Sequence, residues 1–425
     1  MTGRNDRRTT ATVASALRLL QLRSVQVSVC LISLIVTVVL YAQKNEKPIY
    51  SDTITATKTI GKTMYSRKDL WREDNQSVHS DISSTKIILS YTPARWFDEW
   101  VGTKWNTTNV FRTCPVSNCV LTQDRTMLNV ADAVLFRLND LGTCRTKFKQ
   151  GQVWVLFEHE SPNYAHKSLK KCNNNLVNWT LTYRRDSDFM LVHGQFPQHD
   201  TGYNVSGMYQ LLRSKSKTAV GFISHCKAPS KRDEFVRKLR SYGVDIDIYG
   251  KCGNLTCGGG KDTKWKGVWN VTSGHKDNCF DVLDSQYKFY LSLENSLCKD
   301  YVTEKSLHLV LRHQIVPIIR DGANRSLYHP PHSYVDTKDF KSIKSLAKYI
   351  KYLSENFDEY LQFFNWRKQY SVETVSGVLQ SVFCDMCNRM HNQHRYKRLY
   401  NNVKHFYEKS HGRETNKHIC RNRLI

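Results

Sequence analysis

From residue 86 onward the chain alternates short apolar runs with polar clusters, the pattern of buried strands joined by turns and helices. Residues 86–91 (Lys-Ile-Ile-Leu-Ser-Tyr), 131–136, 152–157 and 189–192 read as core strands of a first α/β domain. A small, basic stretch at 206–217 reads as a crossing to a second domain. There, strands at 218–224 and 244–249 flank residues 231–242, which place Phe235, Val236, Leu239 and Tyr242 on one helical face. Such a βαβ unit implies parallel strands and a right-handed crossover. Residues 289–293 and 314–319 add two strands, and 340–353 and 357–370 are helical by period. After His391 the tail is basic and weakly patterned. The expected fold class is α/β, two Rossmann-like domains with a cleft between them, at 86–212 and 213–370, followed by a segment at 371–425.

The amino-terminal part breaks this pattern. Residues 25–42 are uncharged and mostly apolar, near the lower limit for crossing a bilayer. Arg4, Arg7, Arg8, Arg18 and Arg23 precede them, and positive residues stay cytoplasmic, so the bulk of the chain is expected in a lumen. A cleaved signal peptide is the competing reading. The run exceeds a usual signal core and no small-residue cleavage site follows, which favours an uncleaved anchor. Residues 1–24 are then a cytoplasmic tail, 25–42 a signal anchor and 43–85 a stem too polar to bury a core.

Composition sharpens this picture. The chain has 425 residues, room for two domains, and a formal charge of +25, which raises the question of nucleic acid. Its lysines and arginines are spread throughout, with no aromatic-interleaved motif. The charge suits an anionic ligand such as a diphosphate and acidic membrane surfaces, and no nucleic-acid partner is expected. Of 13 cysteines, setting Cys30 aside leaves an even number beyond the anchor. Sequons occur at Asn75, Asn106, Asn178, Asn204, Asn254, Asn270 and Asn324. Together they indicate an oxidising secretory compartment.

The densest chemistry lies in residues 287–305. Phe289 to Leu293 form a buried strand, and Glu294, Asn295 and Ser296 follow at its carboxyl end, where open α/β sheets bind ligands. Thr303, Glu304 and Lys305 open a helical pattern reaching about Arg312. A helix amino terminus with a mobile ammonium beside it suits phosphate, and a carboxylate suits a sugar diol. The runs Phe-Tyr-Leu-Ser-Leu-Glu-Asn-Ser and Asp-Tyr-Val-Thr-Glu-Lys resemble the signature of the α1,3-fucosyltransferases, glycosyltransferase family ten. The likeness extends from about Lys86 to Cys384.

That resemblance implies the GT-B architecture and inverting transfer of L-fucose from GDP-fucose to a sugar hydroxyl, usually O3 of N-acetylglucosamine. It implies Glu160, within Glu-Ser-Pro, as the base, with Glu158 a rival two residues away on the same side of an extended strand. Arg232 and Lys305 would face the diphosphate, and Asn295, Tyr301 and Glu304 would contact nucleotide or fucose. His225 stands where an asparagine is usual. It pairs Cys114 with Cys384 and Cys119 with Cys387, returning the end of the chain to the first domain. Cys226, Cys252, Cys257, Cys279 and Cys298 resemble the pattern of invertebrate enzymes acting on the Asn-linked N-acetylglucosamine. Lewis-type relatives, which act on outer antennae, mostly lack it.

The remaining motifs are weaker. Asp186–Asp188 and Asp245–Asp247 have the Asp-x-Asp spacing of divalent-cation sites, but the first looks structural, with arginines pairing the acids, and the second lies within a strand. No tightly held metal and no obligatory cofactor is expected; manganese stimulation is left open. The pair at Cys384 and Cys387 lacks a second pair for zinc, so disulfides are the expected use. The expected protein is a type II Golgi enzyme acting on glycoprotein glycans. The alternative is an inactive carbohydrate-binding or scaffolding protein of the same fold.

Overall fold

Strand β4 (Val153–Glu158) is buried at every position, Val-Trp-Val-Leu-Phe-Glu, the run expected of a strand covered on both faces of a parallel sheet. In the computed structural model, which describes residues 84–91, 110–137, 150–169, 176–199, 205–255, 281–307, 311–409 and 419–421, it lies inside a six-stranded sheet. The other strands are β1 (Lys86–Ser90), β2 (Cys119–Thr122), β3 (Ala133–Phe136), β5 (Trp179–Thr182) and β6 (Phe189–Met190). They run parallel in the order β2-β1-β3-β4-β5-β6. A two-residue strand β7 (Gly194–Gln195) follows.

The second sheet holds β8 (Lys217–Phe222), β9 (Ile246–Tyr249), β10 (Tyr287–Leu293), β11 (Val316–Arg320) and β12 (Val335–Asp336). It too is parallel, in the order β12-β11-β10-β8-β9. The chain leaves β8 to one side for β9 and returns to the other side as β10. The switch point of this sheet therefore lies between β8 and β10, where ligands bind in folds of this kind.

Alternation along the first sheet sends two sets of side chains to opposite faces, and the end of the chain covers both. On one face Leu135, Val155 and Phe157 pack with Val378, Leu379, Phe383 and Met386 of helix 375–391. On the other, Val134, Phe136, Trp154 and Leu156 pack with Val403, Phe406 and Tyr407 of helix 403–408. Cys114–Cys384 and Cys119–Cys387 fix this return, 270 and 268 residues apart in sequence. Val302, Leu307 and Leu311 join the first of these clusters, so the core runs on beyond the first sheet. A two-residue strand (Glu373–Thr374) also pairs antiparallel with β7. All described residues fall in one compact unit, Thr63–Ile425.

Several local expectations shift. The helix expected at 231–242 is α1 (Arg232–Ser241): Phe235, Val236 and Leu239 are buried as expected, while Tyr242 caps it and is exposed. Glu304 and Lys305 sit in turns rather than in a helix, because the 294–303 loop is closed by side-chain hydrogen bonds; residues 308–310 lie outside the described residues. The helix expected at 357–370 ends at Gln362, with a 3₁₀ turn at Asn365–Lys368. Among the described residues no helix is long and apolar enough to cross a membrane. The anchor at 25–42 and nearly all of the stem at 43–85 lie outside them, as do Asn75, Asn106, Asn204, Asn270, Cys257 and Cys279.

Candidate functional site

Glu158 and Glu160 leave the end of β4 in different directions. Glu158 turns back on its own loop: Oε1 accepts from the amides of His159 and Glu160, both at 3.1 Å, and from Arg137 Nη2 at 3.2 Å. It is fully buried, and desolvation raises its pKa against the opposing pull of Arg137. Glu160 is only half-buried, and its carboxylate meets the second half of the molecule, where Tyr301 Oη donates to Oε2 at 3.3 Å. The next residues extend this junction: Ser161 Oγ and Asn163 Nδ2 donate to Ser296 Oγ at 2.8 and 3.0 Å. The base candidate and the end of β10 are thus held together by direct bonds. Ser161 and Asn163 had no role in the sequence reading, and Ser296 stood there only among the polar residues at the end of β10.

The loop after β10 is built around Glu294. Its Oε1 accepts from the amide and hydroxyl of Thr303, at 2.8 and 2.7 Å, closing the turn that presents Asn295 and Tyr301. Lys305 Nζ then donates to Thr303 Oγ1 at 2.8 Å and Glu304 Oε1 at 2.9 Å, with Glu294 Oε2 at 3.4 Å. Burial would lower the Lys305 pKa and raise that of Glu304. Charge prevails over burial in both cases: Glu294, with Glu304 behind it, holds the lysine above its ordinary value, and Lys305 holds Glu304 below. His193 Nδ1 approaches Glu304 at 3.8 Å from beyond the first sheet. Glu294 goes the other way, raised by burial.

The switch point between β8 and β10 completes the arrangement. Ser224 Oγ after β8 and Asn295 Oδ1 after β10 are buried and make no hydrogen bonds, in a place where nearly all such atoms are partnered. Helix α1 starts there, behind Lys231 in a left-handed conformation (φ 54°), with no side chain capping its first amides. Arg232, expected to face a diphosphate, is also engaged within the chain. The residue is 4% exposed, and its guanidinium donates to the carbonyls of His225 (2.9 Å from Nη2) and Leu293 (3.0 Å), tying the two strand ends together. A guanidinium has five N–H donors, and Nε also points at His225, so two are left for a ligand. His225 is exposed, its ring edge-on to Tyr164 of helix 162–169 at 6.1 Å. Cys226–Cys252 secures that loop.

Asp186, Asp188 and Asp247 of the two Asp-x-Asp elements are held by internal partners. Arg184 grips Asp186 at 2.7 and 2.5 Å, and Asp188 accepts from Thr180, Tyr400 and Arg398. Asp247 is held by Lys217 and Tyr287, and Asp245 is exposed. Asn254 and Asn324 are exposed as sequons require; Asn178 Nδ2, the atom a glycan would take, donates to the carbonyl of Arg398.

Two parallel, doubly wound sheets joined through polar residues at their strand ends make a GT-B-like α/β fold. The family model "Fucosyltransferase, N-terminal" matches residues 83–194, and "Glycosyltransferase family 10 (fucosyltransferase) C-term" matches 212–406. The chain is 32% identical to α-(1,3)-fucosyltransferase C of Drosophila melanogaster, over 73% of this chain and 74% of that one. It is 29% identical to α-(1,3)-fucosyltransferase fut-1 of Caenorhabditis elegans (83% and 79%). It is also 29% identical to 4-galactosyl-N-acetylglucosaminide 3-α-L-fucosyltransferase 9 of Mus musculus (78% and 90%). A solved α1,3-fucosyltransferase with GDP matches at 17% identity and TM-score 0.41, over 74% of this chain and 94% of that one. The chain belongs to glycosyltransferase family 10, the fucosyltransferases, and is a sugar-transferring enzyme.

Proposed function

We propose that this enzyme transfers L-fucose from GDP-fucose, with inversion, to O3 of an N-acetylglucosamine in glycoprotein N-glycans. The observation that carries the reading is the junction of Glu160 with Tyr301, one loop away from Lys305 and the unpartnered Ser224 and Asn295. In the reaction the acceptor O3 attacks the anomeric carbon of fucose while its proton passes to Glu160. The bond from that carbon to the β-phosphate oxygen breaks, and GDP departs with the electron pair. Lys305 and the two remaining donors of Arg232 meet the growing charge on the diphosphate. Asn295 orients the donor, and Glu304 accepts from a sugar or ribose hydroxyl. No tightly held cation is required in this scheme.

Core-type acceptors are favoured because Cys226 and Cys298, both in disulfides, belong to the cysteine set that resembles the invertebrate core enzymes. The name of the mouse relative describes an antenna acceptor for that protein and motivates the second reading. The enzyme is proposed to lie in the Golgi membrane, with residues 25–42 as anchor and the catalytic unit in the lumen. Its disulfides and exposed sequons support an oxidising compartment. The test is release of GDP from GDP-fucose in the presence of a glycan panel. Release with glycans bearing the Asn-linked chitobiose supports the core reading, and release only with Gal-GlcNAc antennae supports the second. A rate that no glycan raises above the acceptor-free rate refutes both.

A further inference from the structure

One wall of the Glu160 site belongs to neither sheet. Tyr407, in the last helix of the described residues (Val403–Glu408), is fully buried and donates its hydroxyl to the main-chain carbonyl of Glu160. Its ring meets Tyr183 edge-on at 6.0 Å, and Tyr183 meets Tyr301 edge-on at 5.0 Å. Tyr301 closes the circuit on the Glu160 carboxylate. Two tyrosines therefore grip one residue from both ends, main chain and side chain, with Tyr183 packed between their rings, while Glu158 holds its amide.

The tail that carries Tyr407 is itself fastened to both partners of this junction. Arg184 Nη1 donates to the carbonyls of Tyr407 and Lys409, at 3.3 and 3.2 Å, and its guanidinium lies over Phe406. Ile419 donates to the carbonyl of Glu408 at 3.0 Å, and its own carbonyl accepts from Lys299 at 2.9 Å. Arg421 donates to the carbonyl of Leu297 at 2.8 Å, and Cys420 is bonded to Cys298. The Tyr301 loop and the Glu160 loop are thus registered to each other through the end of the chain.

We propose that Tyr407 is a positioning residue for the transfer reaction, and that the Cys298–Cys420 strap sets Glu160 against the donor loop through it. This rests on the reading of Glu160 as the base. A tyrosine serving only to fill the core would affect stability and nothing else. The test is a cycle of Tyr407→Phe and Glu160→Gln in the full chain, with kcat, KM for GDP-fucose and the unfolding temperature measured for each. Tyr407→Phe keeps the ring contacts and removes one hydrogen bond. Its kcat should fall roughly tenfold, with KM for the donor nearly unchanged. In the Glu160→Gln background the same change should cost less than about twofold, because the group being positioned is gone. The double variant Cys298→Ser/Cys420→Ser, which spares every catalytic side chain, should also lose kcat severalfold. Wild-type kcat in Tyr407→Phe, or an equal loss in both backgrounds, overturns the proposal. Wild-type kcat in the strap variant overturns the role of the strap. Wild-type transfer in Glu160→Gln alone would instead defeat the base assignment.

Discussion

Glu158→Gln separates the two carboxylates at the end of β4. Three donors converge on Glu158 Oε1: the amides of His159 and Glu160 and the Arg137 guanidinium. Removing one partner of a fully buried ion pair costs about 3–5 kcal/mol. Three features reduce that figure here. The Arg137 side chain keeps 12% exposure, and an amide oxygen can still accept all three hydrogen bonds. Burial also disfavours the Glu158 charge, so a neutral side chain recovers desolvation. The expected loss is about 1–2 kcal/mol of stability, or roughly 1–2 °C in unfolding temperature for a chain of this size. Because the Glu160 amide keeps its acceptor, transfer should fall no more than about fivefold. Thermal unfolding and GDP-release kinetics on the same preparation read both quantities. A loss of about a hundredfold or more in transfer at an unchanged unfolding temperature would refute the reasoning and assign proton removal to Glu158.

Lys305→Ala should raise KM for GDP-fucose and lower kcat, a loss of about 2–4 kcal/mol in transition-state stabilisation; wild-type kinetics would remove it from the donor site. Arg232→Ala should show the same trend together with a lower unfolding temperature, since its bonds to His225 and Leu293 also hold the strand ends. Glu304 contributes through pH. Its carboxyl is held down to about 2 from an ordinary 4.5, so its stabilisation is complete above about 4.5 and fades as pH falls towards 2. Glu304→Gln should therefore be less stable than the parent at neutral pH, with the difference shrinking in acid. A difference that stays constant with pH would contradict the pairing with Lys305.

Much of the fold was legible because parallel strands announce themselves as continuous apolar runs, as at 153–157 and 289–293. The signature residues lay at strand ends, where the sheet rule places ligands. What stayed hidden depended on partners distant in sequence. Glu158 read as a rival base because nothing in its loop shows Arg137 closing over it. Arg232 read only as a residue facing the diphosphate, and its bonds to the carbonyls of two strand ends were hidden. The tail after His391 looked featureless because its few aromatics have their partners far away: Tyr407 lies 247 residues from Glu160. Cys298 was visible in the cysteine pattern, but its partner Cys420 was fixed only by the local pairing of 297–299 with 419–421.

The central claim is that Glu160 takes the acceptor proton, and Glu160→Gln tests it most directly. Glutamine keeps the size of the side chain and can still accept from Tyr301, but it cannot accept the proton. Transfer to a glycan acceptor should fall roughly 10²–10⁴-fold, the usual span for a general base, while the affinity for GDP-fucose measured by calorimetry barely changes. Transfer at near the parent rate, with donor binding intact, would contradict the account.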